Sequence, residues 1–403
     1  DGDEPFSLHP LGESGRYFWT ERVDDDVSGA LDWTLPFSFA GNDASVKVGG
    51  EYRERSRDFA ARRLNWDFLG GTIEDLDAAL SEGTIVASAR RRGEFAIEEV
   101  VEPGDLYDAS DTRAAGYLLV DLPVTDRLQA IVGARLEAYT LGLNSRGNPL
   151  QDTDKTDVAP SVNLIYTARD NVKIRAAASR TVDRPEFREM APFQFTEATS
   201  LRQLYGNPDL TAAGITSADL RMDWFPAPGE MISIGGFYKD MTDPIEQVFI
   251  AAASTAFSFQ NAEKATVVGI EIDTQLGLDR LSPALADFSV QANYSWIDSD
   301  VTVRQGLGGF EPTNLNRPLE GQAPYVLNAG LNYANLSGFE AGLFVNRFGD
   351  RLNAAGGGGI PDLYEKARTA LDASVGFPLT GGAKAKIKAS NLLDAQYRFE
   401  QEA

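Results

Sequence analysis

The chain has 403 residues, a formal net charge of -23 and no cysteine. Such an acidic chain repels the phosphate backbone of nucleic acids, so we exclude a nucleic-acid partner. The lack of cysteine excludes disulfides, thiolate metal sites and cysteine nucleophiles. No stretch approaches the ~20 consecutive apolar residues of a membrane-spanning helix, whereas 22 Phe, 13 Tyr and 38 Gly suit many strands joined by tight turns.

Period-two alternation recurs along the chain and predicts β-strands with one apolar and one polar face. From Val268 to Leu278 apolar side chains alternate with small or polar ones, and the segment from Phe288 to Trp296 repeats the pattern. In a barrel the polar face would line a water-filled interior. We therefore expect an inward position, toward a lumen or a domain that fills it, for Glu271, Asp273, Gln291 and Asn293.

The connections between these predicted strands fall into two classes that alternate strictly. The short class comprises residues 123–127, 168–171, 226–230, 335–338 and 379–382, and the long class comprises residues 60–108, 185–213, 304–321 and 352–367. Outer-membrane barrels have short periplasmic turns and long extracellular loops. The asymmetry therefore favours a barrel over a soluble β-sandwich. Inside the first long connection, a capping box at Thr72 and a terminating Gly83 predict a helix.

Aromatic residues cluster near the expected ends of the strands, as in the two girdles of a membrane barrel. Together these observations predict an all-β fold, an antiparallel transmembrane outer-membrane β-barrel, with about 14 to 15 strands between Arg16 and Arg398. We read residues 1–403 as a single barrel domain. The predicted girdle residues are Trp224, Phe225, Tyr294, Trp296, Tyr325, Tyr333 and Phe339.

The sequence offers little material for catalysis. Its only histidine is His9, which precedes the first clear strand, so a serine-histidine arrangement or a histidine-rich metal site is not indicated. We predict no enzyme, no catalytic residue, no metal site and no cofactor. Four charged residues near a loop entrance are candidates either for substrate contact or for fixing the loop through ion pairs: Arg180, Arg184, Glu186 and Arg188.

Three groups of motifs resemble the barrel of TonB-dependent receptors in their order and spacing. The first is the run from Ser179 to Phe193, and the last is Asn391-Leu392-Leu393-Asp394-Ala395-Gln396-Tyr397. Between them lie Tyr205-Gly206-Asn207-Pro208-Asp209-Leu210, Ala218-Asp219-Leu220-Arg221, Phe237-Tyr238-Lys239-Asp240 and Asp243-Pro244-Ile245-Glu246. The resemblance covers most of the chain from about Tyr17 onward.

This resemblance implies a transporter in the outer membrane of a Gram-negative bacterium, in contact with the lipid bilayer and lipopolysaccharide. Its loops would bind a scarce nutrient such as a siderophore, vitamin or oligosaccharide, and a plug would respond to a TonB-type energy-transducing complex. The family barrel has roughly 22 strands. We therefore expect a fragment that lacks the signal peptide, the plug domain, the first barrel strands and the last one.

Two alternatives share the alternation, the girdles and the asymmetric connections. A passive porin needs neither a plug nor an energy-transducing partner. A surface adhesin or ligand-binding barrel would use the same loops for binding without transport. The sequence upstream of a barrel distinguishes the transporter from the porin, because only the transporter carries a plug.

Overall fold

The computed structural model describes residues 16–68, 95–101, 103–196, 203–251, 256–304 and 312–402. Over these residues the chain is almost entirely β, which confirms the predicted fold class. No helix in this part of the chain is long and apolar enough to cross a membrane. The helix expected between Thr72 and Gly83 lies outside the described residues.

Twenty-three strands are described in chain order. They are β1 (Arg16–Phe39), β2 (Asn42–Phe68), β3 (Phe95–Val100), β4 (Leu106–Thr125), β5 (Leu128–Ser145), β6 (Asn148–Arg169), β7 (Val172–Asp183), β8 (Gln194–Thr196), β9 (Gln203–Tyr205), β10 (Ala213–Trp224), β11 (Met231–Thr242), β12 (Ile245–Ala251), β13 (Ala256–Asn261), β14 (Lys264–Gly277), β15 (Phe288–Thr302), β16 (Asn316–Arg317), β17 (Tyr325–Ala334), β18 (Glu340–Phe348), β19 (Arg351–Ala354), β20 (Asp362–Glu365), β21 (Arg368–Pro378), β22 (Lys384–Ala389) and β23 (Phe399–Glu402). The one α-helix described is Phe187–Met190, and single 3-10 turns lie at Pro103–Asp105, Pro283–Leu285 and Thr380–Gly382.

Sixteen strands form one antiparallel sheet, and fourteen of them follow one another in a continuous path. The path runs β1-β2-β4-β5-β6-β7-β10-β11-β14-β15-β17-β18-β21-β22, while β3 pairs beside β2 and β16 beside β15. Each strand on the path except β1 and β22 pairs with the strand before and the strand after it, so the sheet is an up-and-down meander. The fourteen strands on this path agree with the 14 to 15 barrel strands predicted from the sequence.

One surface of this sheet, which we call the outer face, is apolar and exposed. Leu220, Ile270 and Trp296 belong to one cross-strand row and are 45 to 60% exposed. Ile234 and Ile272 are paired in the neighbouring row and are also exposed. A soluble monomer rarely exposes a contiguous apolar surface of this extent. The outer face therefore has the character of a surface that lipid covers.

The opposite surface, the inner face, is polar and contains aromatic rings that lie over glycines. The Phe237 ring covers Gly269, the Tyr117 ring covers Gly49, and the Phe344 ring lies against Gly330 on β17 and Gly342 on its own strand. A Cβ atom at Gly269 would lie 2.4 Å from Cζ of Phe237 and 2.9 Å from the carbonyl oxygen of Trp296. These glycines thus give the rings room to lie flat against the sheet.

The connections at one end of the strands are short, as predicted, and we call this end the turn rim. Between β17 and β18 the Asn335 side chain accepts hydrogen bonds from the backbone N–H groups of Ser337 and Phe339, both at 3.1 Å. Gly338 completes the turn with a φ of 82°, which favours glycine. Local side-chain bonding of this kind explains why the turns were recognisable in the sequence.

The other end, the loop rim, departs from the sequence prediction in two places. Strict alternation of short and long connections is wrong for β5 and β6, which are joined by a two-residue turn at Arg146 and Gly147, with φ values of 52° and 78°. The connection at residues 243–263, which folds into the hairpin β12–β13, was not predicted as a long loop.

The first strands are also longer than predicted. β2 continues to Phe68, whereas the sequence placed the start of a loop at residue 60. In this upper part the polarity of the faces is reversed, because Phe59 and Ala61 are buried on the inner face while Asp58 and Arg62 point outward. A strand prediction that expects apolar residues on the outward, lipid-facing side therefore fails in this part of β2.

The loops at the loop rim form a second layer, which we call the loop layer. Strands β12, β13, β9 and β8 make a four-stranded sheet, and β19, β20 and β23 make a three-stranded one. The two sheets are joined by a bridge between Val248 and Ala355, where the Phe249 N–H donates to the Ala355 carbonyl at 3.1 Å. Connections that are distant in sequence are thus joined by backbone hydrogen bonds.

The contact between Phe237 and Gly269 gives a testable expectation. Gly269→Ala should lower the free energy of unfolding by about 1–3 kcal/mol, because the added methyl forces the ring and the strand apart. Gly236→Ala is the matched control, since its Cβ would meet only a carbonyl oxygen at 3.6 Å. Thermal unfolding of the full-length protein in detergent measures both, and equal stability of the two variants would contradict the packing described.

Candidate functional site

The loop layer is anchored to the inner face by an apolar cluster. Phe187, Met190 and Phe193, from the connection between β7 and β10, are each at most 4% exposed and pack on Phe59 and Tyr107 of the sheet. The centroids of the Phe59 and Phe193 rings are 4.5 Å apart, and those of the Phe59 and Tyr107 rings 4.8 Å. This connection therefore folds inward over the barrel interior.

The short helix Phe187–Met190 within this connection is fixed by its own first turn. The backbone N–H of Glu186 donates to Oε2 of Glu189 at 2.9 Å, half of a capping box. Glu186 also lies 3.3 Å from the Arg55 guanidinium of β2. Burial raises the pKa of the Glu189 carboxyl, although the Glu186 N–H acts in the opposite direction.

Arg184 ties the start of the same connection to the inner face. Its guanidinium lies 2.6 Å from Glu137 Oε1 and 2.5 Å from Asp157 Oδ2, and 4.4 Å above the Tyr139 ring. The side chain is only 9% exposed. Because Arg135 also lies 2.9 Å from Glu137, these charges form a compensated network. Arg184 thus ties the loop to the inner face through ion pairs.

The four charged residues predicted at a loop entrance are only partly brought together. Arg184 and Glu186 hold the inward-folding connection, and exposed Arg188 stacks over the Phe195 ring at 5.1 Å. Arg180 is different, because it pairs with Thr216 on the outer face. The structure therefore places three of these residues at the inward-folding connection and Arg180 on the outer face of β7.

The four inward polar residues share the inner face, as the alternation predicted. Asp273 Oδ2 lies 2.8 Å from Arg221, and Asp273 Oδ1 accepts a hydrogen bond from Asn293 at 2.6 Å. Ser295 Oγ donates to Glu271 at 3.5 Å. Gln291 lines a crevice of about 380 Å³ together with Asp273, Asn293, Asn328, Phe344 and Asn346. This wall presents amides and carboxylates to the barrel interior.

The predicted girdle residues lie near both ends of the apolar band. At the turn rim Trp224 ends β10 and Phe225 follows it, while the Tyr333 ring lies between Phe288 at 4.8 Å and Phe339 at 6.0 Å. Toward the loop rim, exposed Tyr294 and Trp296 are accompanied by Tyr325, the cross-strand partner of Trp296. The placement agrees with two rings of interfacial aromatics.

A buried ion pair that the sequence did not reveal joins two connections of the loop layer. Arg317 donates to both carboxylate oxygens of Glu246, at 2.8 and 2.9 Å, and each side chain is 2% exposed. The backbone N–H of Glu320 donates to the same carboxylate at 3.4 Å. The partners are separated by 71 positions, so no local pattern could have indicated the pair.

Over the described residues, no group of three or more His, Asp or Glu side chains could hold a metal ion. The geometry instead defines a membrane barrel wall, apolar outside and polar inside, whose loops fold inward and are fixed by apolar packing and compensated charges.

The sequence matches the family "TonB dependent receptor-like, beta-barrel" over residues 3–392. The chain therefore belongs to the TonB-dependent receptor family, as its motifs indicated, and to the outer membrane. This is a family of receptors rather than enzymes.

Relatives and solved structures agree on the fold. The iron-regulated outer membrane virulence protein of Vibrio cholerae is 21% identical over 305 residues, which are 72% of this chain and 42% of that protein. The siderophore receptor PiuA from Acinetobacter baumannii superposes with a TM-score of 0.66 at 12% identity, over 94% of this chain and 53% of that one. The ferric-catecholate import receptor Fiu from K12 E. coli superposes with a TM-score of 0.62 at 14% identity, over 94% of this chain and 52% of that one. The chain thus spans about half the length of these proteins.

The buried pair gives a prediction about the loop layer. Arg317→Met alone should destabilise the layer by about 3–5 kcal/mol, because it leaves the Glu246 carboxylate buried without its partner. Replacing both partners, as Arg317→Met with Glu246→Leu, should recover most of this loss. Hydrogen exchange of residues 245–249 measures the effect, and an unchanged rate in the single variant would contradict it.

Glu189 gives a prediction about pH. The pKa of its carboxyl is raised in the folded loop. Its contribution to the stability of the loop is therefore fully present below the pKa of the unfolded chain and is lost as pH rises through the pKa of the folded state. Glu189→Gln keeps an acceptor for the Glu186 N–H but cannot ionise. Hydrogen exchange of residues 187–191 should become slower at neutral pH in this variant and less dependent on pH. Faster exchange at neutral pH would show that the charge stabilises the loop.

Proposed function

We propose that the protein to which this chain belongs is a TonB-dependent transporter that imports a ferric siderophore across the outer membrane. The observation that carries the proposal is the inward-folded loop layer, which is fixed on a polar barrel wall in a chain of the TonB-dependent receptor family. A passive porin keeps a water-filled channel open, whereas other outer-membrane barrels are plugged. A receptor that must hold its ligand before transport needs a structured layer across its mouth, because fixed contacts reduce the entropy lost on binding.

The substrate class is supported by the relatives. The Vibrio cholerae protein is iron-regulated, and PiuA and Fiu are receptors for a siderophore and for ferric catecholates. A vitamin and an oligosaccharide are the alternative nutrients. In either case the ligand would first meet the loop layer and then the inner wall that carries Asp273, Gln291 and Asn293.

We further propose that the fourteen strands are part of a larger barrel. Within the described residues, β1 and β22 each have one neighbour on the path, and unpaired strand edges are too costly to face hydrocarbon. Additional strands of the same protein would close the barrel, and a plug would fill it. The partners are then the energy-transducing TonB complex, which acts through the plug, and the surrounding bilayer with its lipopolysaccharide.

Energy dependence tests this function. Cells that express the full-length protein should accumulate radiolabelled ferric siderophore, and a protonophore or loss of TonB should abolish accumulation while leaving binding at the cell surface intact. Uptake that persists without energy would identify a porin. Binding without uptake in energised cells would identify an adhesin or a simple surface receptor. An Arg317→Met, Glu246→Leu double variant serves as a control with an altered but folded loop layer.

A further inference from the structure

Arg347 is a cation at the upper boundary of the outer face. Arg347 on β18 occupies the same cross-strand row as Tyr294, Leu327 and Thr369. The rows below it toward the turn rim contain apolar residues, beginning with Val345 and the exposed Leu343. Asn346, which donates to Asn328 at 2.7 Å on the inner face, shows by alternation that Arg347 points outward.

The height of Arg347 matches the edge of the hydrocarbon layer. Phe339, in the aromatic group at the turn rim, and Arg347 are eight positions apart, or about 26 Å along a strand at ~3.3 Å per residue. With a strand tilt of about 40° this corresponds to roughly 20 Å of height, compared with an apolar band of about 25 Å in outer-membrane barrels. Long loops of such barrels are extracellular, so Arg347 lies at the outer leaflet.

The Arg347 guanidinium is held in place by hydroxyl groups rather than by a carboxylate. Nε donates to the Tyr325 hydroxyl at 3.1 Å, and Nη1 donates to Oγ1 of Thr369 at 2.7 Å. No acidic side chain of the described residues forms an ion pair with it. Lys264 on the same face provides the contrast, because its ammonium lies 2.7 Å from Asp240 Oδ2.

An uncompensated guanidinium at the boundary of a low-dielectric layer requires an anion or a full water shell. Its planar set of N–H groups matches phosphate oxygens, and two of the remaining N–H groups can bind them together. Tyr325 and Trp296 beside it are the aromatic types that prefer the headgroup level. The orientation imposed by the two hydroxyls therefore presents the free edge of the guanidinium to the headgroup region.

We propose that Arg347, framed by Tyr325 and Thr369, is a binding site for a phosphate group of an outer-leaflet glycolipid. The ligand chemistry is a phosphorylated sugar headgroup whose acyl chains lie along the apolar rows below. The site depends on the position of the barrel in the outer membrane and not on the proposed transport function, so each can fail without the other.

The test uses the full-length protein in detergent with bisphosphorylated lipid A as the probe, and native mass spectrometry as the measurement of bound lipid. Arg347→Gln should weaken binding at least tenfold. Lys264→Gln is the matched control, because it removes one positive charge from the same face but not from this site, and it should change binding by less than twofold. Enzymatically dephosphorylated lipid should bind equally to all three proteins.

Thr369→Val provides a second variant that keeps the charge and removes one framing hydroxyl, and it should weaken binding severalfold even if Arg347→Gln does not fold. Equal losses in Arg347→Gln and Lys264→Gln would overturn the proposal in favour of diffuse electrostatic attraction. Undiminished binding by Arg347→Gln, or equal binding of phosphorylated and dephosphorylated lipid by the wild type, would also overturn it. Displacement of the lipid by millimolar inorganic phosphate would show a general anion site instead.

Discussion

Hydrocarbon offers no hydrogen-bond partner to a peptide group, and this constraint governs the rest of the structure. Every strand that crosses the membrane must pair on both sides, which produces the long antiparallel meander of fourteen strands. The same strands must turn apolar side chains toward lipid, which leaves the polar ones to face the interior. The amide and carboxylate wall around Asp273 and the exposed aliphatic rows around Ile270 are therefore two results of one requirement.

The loops are released from this constraint and obey another one. Because they cover a polar interior, they can bury apolar residues only against one another and against the upper inner face, as Phe187 and Phe193 do. Charges that enter this region are compensated individually, by Glu137 and Asp157 around Arg184 and by Glu246 around Arg317. A layer built in this way has a defined shape, which a binding surface requires.

The sequence predicted those parts of the molecule whose pattern is imposed by lipid or by a local turn. The alternation from Val268 to Leu278 gave β14 its correct faces, and the Asn335 turn was visible because its hydrogen bonds are local. The prediction failed above the membrane, where Phe59 and Ala61 invert the polarity of β2.

The candidate site was predictable to a smaller extent for the same reason. Arg184, Glu186 and Arg188 were identified because they follow a strand closely. Arg180 lies within β7 and on its outer face, which separates it from the other three. Arg317 and Glu246 are brought together by the folding of two loops, and nothing near either residue signals its partner.

The unequal length of the strands has a mechanical consequence. β2 has 27 residues and β6 has 22, whereas a tilted membrane crossing takes only about 9–11 residues. This side of the barrel therefore extends far above the bilayer as a continuous hydrogen-bonded sheet. On the side of β10 to β21 the strands are shorter, at 9 to 15 residues along the path, and the folded connections begin closer to the lipid. Since a continuous strand ladder resists bending more than connections held by side-chain contacts, the two sides of the barrel mouth differ in stiffness.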